Sequence, residues 1–246
     1  MNLATVQFFS PALARHTTYS IILPVTGDGP FPVLLQLHGY SDDHTSWLYS
    51  SNLVRHAAPY PMIVVLPDGA TSSYLNLPHG PQPTSRVGIQ RYEDLVVNDL
   101  RQQIERTFRV RPGPWAIGGL SMGGFGAMRL GLKYPDRFAS IWAHSGSYRT
   151  RDELDSLYPV PDEANIYARA DHAAESGHYP VITFDCGTED ELIGHNRRLH
   201  NHMETIGLPH TYEELPGRHD WEFWDQRVPL ALVQHARVLG IQSQDG

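Results

Sequence analysis

An α/β fold, with a mostly parallel central sheet covered by helices on both faces, is the class that three features of the sequence predict. Short apolar runs rich in Val, Ile and Leu, closed by Gly or Pro, alternate with longer segments of helical period. The chain has 246 residues of 41% hydrophobic composition, enough to bury a large core. No repeat, low-complexity run or long charged tract marks a linker, so a single domain over residues 1–246 is expected.

Strands are expected at residues 32–37, 61–66, 115–118, 139–144 and 180–185, with 210–215 as a sixth. Residues 6–23 read as antiparallel edge strands. Between the runs, residues 92–108 place Val96, Val97, Leu100, Ile104 and Phe108 at three- and four-residue spacings, which predicts a long amphipathic helix. Further helices are expected at 123–133, 191–206 and 221–239, the last kinked or restarted at Pro229. Residues 147–177 are expected to pack as a partial lid.

Composition narrows the function classes. A formal net charge of -8 gives no attraction for phosphate backbones or anionic lipid, so neither nucleic acid nor membrane is an expected partner. The first twenty residues lack a basic segment followed by an apolar one, and no run reaches the roughly 20 apolar residues that span a bilayer. A cytoplasmic protein is the resulting expectation. Cys186 is the single cysteine, which rules out an internal disulfide and a zinc site built from several cysteines. The sequence calls for no cofactor and no metal, and it leaves oligomeric state open, homo-oligomer included.

The chemistry-bearing motif is Gly119-Leu120-Ser121-Met122-Gly123, a G-x-S-x-G match between an apolar strand and an Ala/Gly-rich helix start. A hydroxyl is a weak nucleophile, and a sharp strand-to-helix turn presents it beside the free amides of the first helical turn. Five-residue matches with two glycines arise by chance. Here Gly118, Gly124 and Ala127 extend the small-residue context, and the missing G-K-[ST] ending excludes a phosphate loop.

Acyl transfer needs a second backbone donor from the loop after an early strand. Leu37-His38-Gly39-Tyr40 fits that place, so the oxyanion donors are assigned to the amides of Tyr40 and Met122. His38 itself reads as a packed or hydrogen-bonded strand-end residue. In α/β-hydrolases the triad follows the chain order Ser, Asp or Glu, His. Of fourteen histidines, His219 stands out because its loop closes the last expected strand and opens the last helix. His195, His200 and His202 read as surface positions of a helix. Asp190 is chosen as the acid because its loop lets it reach His219, whereas Asp185 is still on a strand and is expected to order the loop by accepting backbone bonds. Trp47, Trp221 and Trp224 are candidates to line an acyl or alcohol pocket, with plain core packing as the competing reading.

These residues resemble the putative-esterase (esterase D-like) family of α/β-hydrolases over most of the chain. The resemblance rests on Leu37-His38-Gly39 with Trp47, Val64-Val65-Leu66-Pro67-Asp68-Gly69, the Gly119–Gly124 run with Gly126-Ala127, Asp185–Asp190, and Gly217–Trp221. It implies an α/β-hydrolase fold and a serine carboxylesterase acting on short-chain esters, with Ser121 as nucleophile, His219 as base and Asp190 as acid. Leu120 before the serine and the short length look most like small tributyrin-type esterases. Phe125 stands where S-formylglutathione hydrolases carry a second histidine. A feruloyl or acetylxylan-type esterase, an S-formylglutathione hydrolase and an acyltransferase are the alternatives.

Overall fold

The structure is a computed structural model, and it describes residues 2–77, 90–150, 152–153 and 164–243. The described strands are β1 (Asn2–Ser10), β2 (Arg15–Leu23), β3 (Val33–Leu37), β4 (Ile63–Pro67), β5 (Trp115–Leu120), β6 (Phe138–His144), β7 (Val181–Gly187) and β8 (Thr211–Leu215). They form one sheet in the order β1-β2-β4-β3-β5-β6-β7-β8. β2 pairs antiparallel with β1 and β4, and every other pairing is parallel. The six expected strands thus become β3 to β8, and residues 6–23 fall in the antiparallel pair at one edge.

β3, β4 and β5 are buried at every residue, as strands covered on both faces must be. Their alternating side chains feed two cores: Leu35, Leu37, Val65 and Ile117 enter one, and Leu34, Val64 and Ala116 the other. Helices α3 (Tyr92–Asp94), α4 (Arg101–Thr107), α5 (Met122–Lys133), α6 (Ile166–Ser176) and α7 (Ile193–Thr205) cover the first. Helices α1 (Ser46–Tyr49), α2 (Leu53–Ala57) and α8 (Trp221–Val238) cover the second.

Three expectations are modified. The helix expected at 92–108 contains a π-helical stretch, Leu95–Leu100, between α3 and α4. Leu95, Val96 and Val97 are all buried, and three successive positions would span about 200° of an α-helix, so a wider turn helps bring them to one face. Pro229 does not restart the last helix. α8 runs unbroken through it, because Phe223, Trp224, Val228 and Leu232 are buried on the sheet on both sides of the proline and outweigh one lost backbone bond. Within the expected lid, α6 is an ordinary layer helix with Ala170 and Ala173 buried against its neighbours. Residues 154–163 lie outside the described residues.

A buried ion pair ties α5 to α3. Glu93 lies 2.7 Å from Arg129 and 2.6 Å from Lys133, and Tyr134 donates to it as well. Burial works to raise the Glu93 carboxyl, but Arg129, Lys133 and Tyr134 outweigh it and hold it at about 2, below the ordinary 4.5. A carboxyl lowered on folding stabilises fully above its unfolded value and loses that contribution as pH falls toward the folded one. Glu93→Gln is therefore expected to destabilise the protein by about 3 kcal/mol at pH 7, with the deficit shrinking as pH falls below 4.5. Urea unfolding at pH 7 and pH 3 checks this, and an equal deficit at both values contradicts it.

Candidate active site

Ser121 follows β5 directly and has φ 53° and ψ -115°, a conformation that side chains rarely adopt. Neighbouring backbone holds it there. Its amide donates to His144 O at 2.9 Å, and its carbonyl accepts from Phe125 N at 3.0 Å and Ser147 N at 3.3 Å. The flanking glycines are dictated by close backbone approach. A Cβ at Gly119 would stand 2.5 Å from Gly123 O, and one at Gly123 would stand 2.6 Å from both Leu37 O and His38 O. Alanine favours a helix over glycine by about 1 kcal/mol, but these contacts are with backbone that cannot swing aside. Gly123→Ala should therefore cost about 3 kcal/mol or more and lower kcat as the elbow shifts. Calorimetry with a turnover assay checks both, and an unchanged Tm would contradict the clash.

His219 lies in the loop between β8 and α8. Its Nε2 is 2.9 Å from Ser121 Oγ, and its Nδ1 is 2.8 Å and 3.0 Å from the two carboxylate oxygens of Asp190. The loops carrying the two residues are strapped together, with Thr188 N donating to Leu215 O at 2.8 Å and Glu189 N to Gly217 O at 2.9 Å. The Asp190 side chain is fully buried. Burial would raise its carboxyl, but bonds from His219, the Leu192 amide and Ser145 prevail and hold it below the ordinary carboxylate value. Trp224 meets the His219 ring edge-on at 5.0 Å and donates its indole N–H to Ser145 Oγ at 3.1 Å.

Met122 is the first residue of α5, so its amide is one of those a helix leaves without an internal acceptor. Tyr40 and Met122 line the same pocket as Ser121 and His219. The loop before Tyr40 is fixed through His38. Gly69 N donates to His38 Nε2 at 2.8 Å, which leaves Nδ1 as the protonated nitrogen donating to Gly39 O at 2.7 Å. Burial lowers the His38 pKa, which suits a neutral ring in that tautomer. The Tyr74 hydroxyl accepts from His38 N and donates to His38 O.

The pocket has a volume of about 500 Å³, and Ser73, Leu75, Phe125, Ser147, Arg149, Glu191 and Leu192 complete its lining. Trp47 and Trp221 do not belong to it, which corrects their expected place in a substrate pocket. Trp47 is buried in the second core with its indole N–H on Leu37 O at 3.0 Å, and Trp221 packs edge-on against it at 5.1 Å. α1 and the start of α8 lie on the sheet face that carries that core, so these indoles buttress the β3 end from behind. Asp185 also departs from expectation. Its carboxylate accepts from Trp142, His144 and Arg227 side chains rather than from backbone amides. Asp220 accepts from Phe223 N as the cap of α8.

Sequence reasoning missed Ser145 and the support given by Trp224. The signal for Ser145 was its place just past the carboxyl end of β6, beside the strand that leads into Ser121, where sites of parallel sheets collect. Among the described residues one set of potential metal ligands occurs, His200, Glu204 and His210, and none of the three lines the pocket.

Comparison with known proteins places the chain in a family. Residues 10–235 match the family described as Putative esterase. An acetyl esterase of Caldicellulosiruptor saccharolyticus is 31% identical over 97% of this chain and 99% of its own length. An S-formylglutathione hydrolase of Staphylococcus aureus, in its apoenzyme structure, is 25% identical with a TM-score of 0.80 over 95% of this chain and 96% of that one. The fold is shared with the fluorophosphonate-binding serine hydrolase F of the same organism, at 23% identity and TM-score 0.82 over 95% of this chain and 98% of that one. The α/β-hydrolase fold expected from the sequence is the one observed, and the chain belongs to the putative esterase family of carboxylic ester hydrolases.

Proposed function

We propose that Ser121 is the nucleophile of a carboxylesterase acting on short-chain, in particular acetyl, esters, in one catalytic domain. The observation that carries this reading is the unbroken line of hydrogen bonds from Asp190 through His219 to Ser121. Ser121 Oγ attacks the ester carbonyl while His219 Nε2 takes its proton, and the Tyr40 and Met122 amides stabilise the oxyanion. Asp190 keeps the His219 proton on Nδ1, so that Nε2 faces the hydroxyl as a base. The imidazolium then protonates the leaving alcohol, and water attacks the acyl-enzyme by the same route.

The acetyl preference is supported by the acetyl esterase relative that matches nearly the whole chain. Phe125 is an apolar residue of the pocket lining, which favours an ester over a glutathione thioester. Mass spectrometry after treatment with a fluorophosphonate probe is expected to find one adduct on Ser121. Turnover of p-nitrophenyl acetate should exceed that of the decanoate and of S-formylglutathione. Labelling elsewhere overturns the nucleophile, and a decanoate or thioester preference overturns the substrate class.

A further inference from the structure

His200, Glu204 and His210 cluster where α7 turns into β8. His200 and Glu204 are one helical turn apart on α7, and His210 directly precedes β8. His200 Nδ1 is 2.9 Å from His210 Nε2, which is 3.9 Å from Glu204 Oε1. The His210 side chain is fully buried, whereas Glu204 is 65% exposed, so the cluster opens to solvent on the carboxylate side.

Three features prepare the cluster to receive a cation. His210 Nδ1 is bonded to Leu208 O at 2.7 Å, so its proton resides there and the Nε2 lone pair faces the cluster, as in imidazole ligands fixed by a backbone carbonyl. The two rings cross at 71°, so both can turn a nitrogen to one point without stacking. Phe184 and Tyr212 lie at 22° to His210 and 32° to His200 and hold the rings in place. At a metal–nitrogen distance of about 2.0 Å, tetrahedral ligands stand about 3.3 Å apart. The nitrogen pair would therefore widen by a few tenths of an ångström, and the exposed carboxylate would swing inward.

We propose that His200, Glu204 and His210 form a binding site for one divalent transition-metal ion of the zinc type, with water in the fourth position. Two imidazoles and one carboxylate are ligands this class of ion takes readily. On binding, His200 shifts its proton from Nδ1 to Nε2, His210 keeps its own, and Glu204 binds as the carboxylate, so no net proton is released. The ion clamps α7 to the connection leading into β8, the strand that runs on to the His219 loop. The site is independent of the ester chemistry proposed for Ser121.

The test is calorimetric titration of the full chain with zinc chloride, together with visible absorption after cobalt(II) addition. One saturable site with the absorption of four-coordinate cobalt is expected. Kd should weaken by at least about tenfold in His200→Ala and in Glu204→Gln. At zinc a hundredfold above Kd the Tm should rise by about 5 °C in the wild type and not in the variants. Both substitutions are at positions that are not fully buried, and metal-free turnover of p-nitrophenyl acetate should be unchanged, which reports an intact fold. Equal zinc affinity in wild type and variants, or no saturable binding in the wild type, overturns the proposal.

Discussion

Replacing Ser121 with alanine is expected to lower kcat/KM on p-nitrophenyl acetate by at least about 10⁴-fold while leaving Tm nearly unchanged. The hydroxyl is the group placed to attack, and nothing else on the elbow can replace it, since Gly123 and Gly124 carry no side chain and Met122 offers only a thioether. The backbone conformation is held by the bond Ser121 N donates to His144 O and by those its carbonyl accepts from Phe125 N and Ser147 N, none of which involves the hydroxyl, so alanine inherits the same strain. Residual turnover should be what binding and the oxyanion donors supply alone. Activity within tenfold of wild type, with identity checked by mass spectrometry, would remove Ser121 from the mechanism.

Asp190→Asn is expected to cost about 10⁴-fold in kcat with little change in KM, and the structure specifies how. The Leu192 amide donates to Asp190 Oδ1 at 2.7 Å, so an asparagine there keeps its carbonyl oxygen on that side. Its NH₂ group must then occupy the Oδ2 place, 2.8 Å from His219 Nδ1. Two N–H groups cannot face each other at that distance, so the imidazole moves its proton to Nε2 and presents a donor to Ser121. The base is lost although every atom stays near its place. Steady-state kinetics separate the cases, since a KM effect with kcat retained would show that Asp190 acts only on substrate binding.

The centre of the sheet, β3 to β5, was legible because short apolar runs have little alternative to a strand buried on both faces. The neighbourhood of Ser121, His219 and Asp190 was legible because each lies just past a strand end, and parallel strands bring those ends to one rim. What escaped depended on which face a side chain takes. Trp47 sits in a four-residue helix too short to show a period, so its burial behind β3 had no signature. Ser145 lies in a loop and His38 at a strand end, and their roles depend on partners distant in sequence, such as Trp224 and Gly69. His200 read as helix surface because its companion His210 lies beyond the turn that follows the helix.

Main chain rests on main chain where β5, α5 and the end of β3 cross at Gly119, Gly123 and His38. Gly119 and Gly123 interpose no side chain of their own there and face backbone and the Leu37 Cβ, so neither can be enlarged without moving the elbow. The pocket residues Ser73, Leu75, Phe125, Arg149, Glu191 and Leu192 are the ones whose side chains can change while the attacking atom keeps its position.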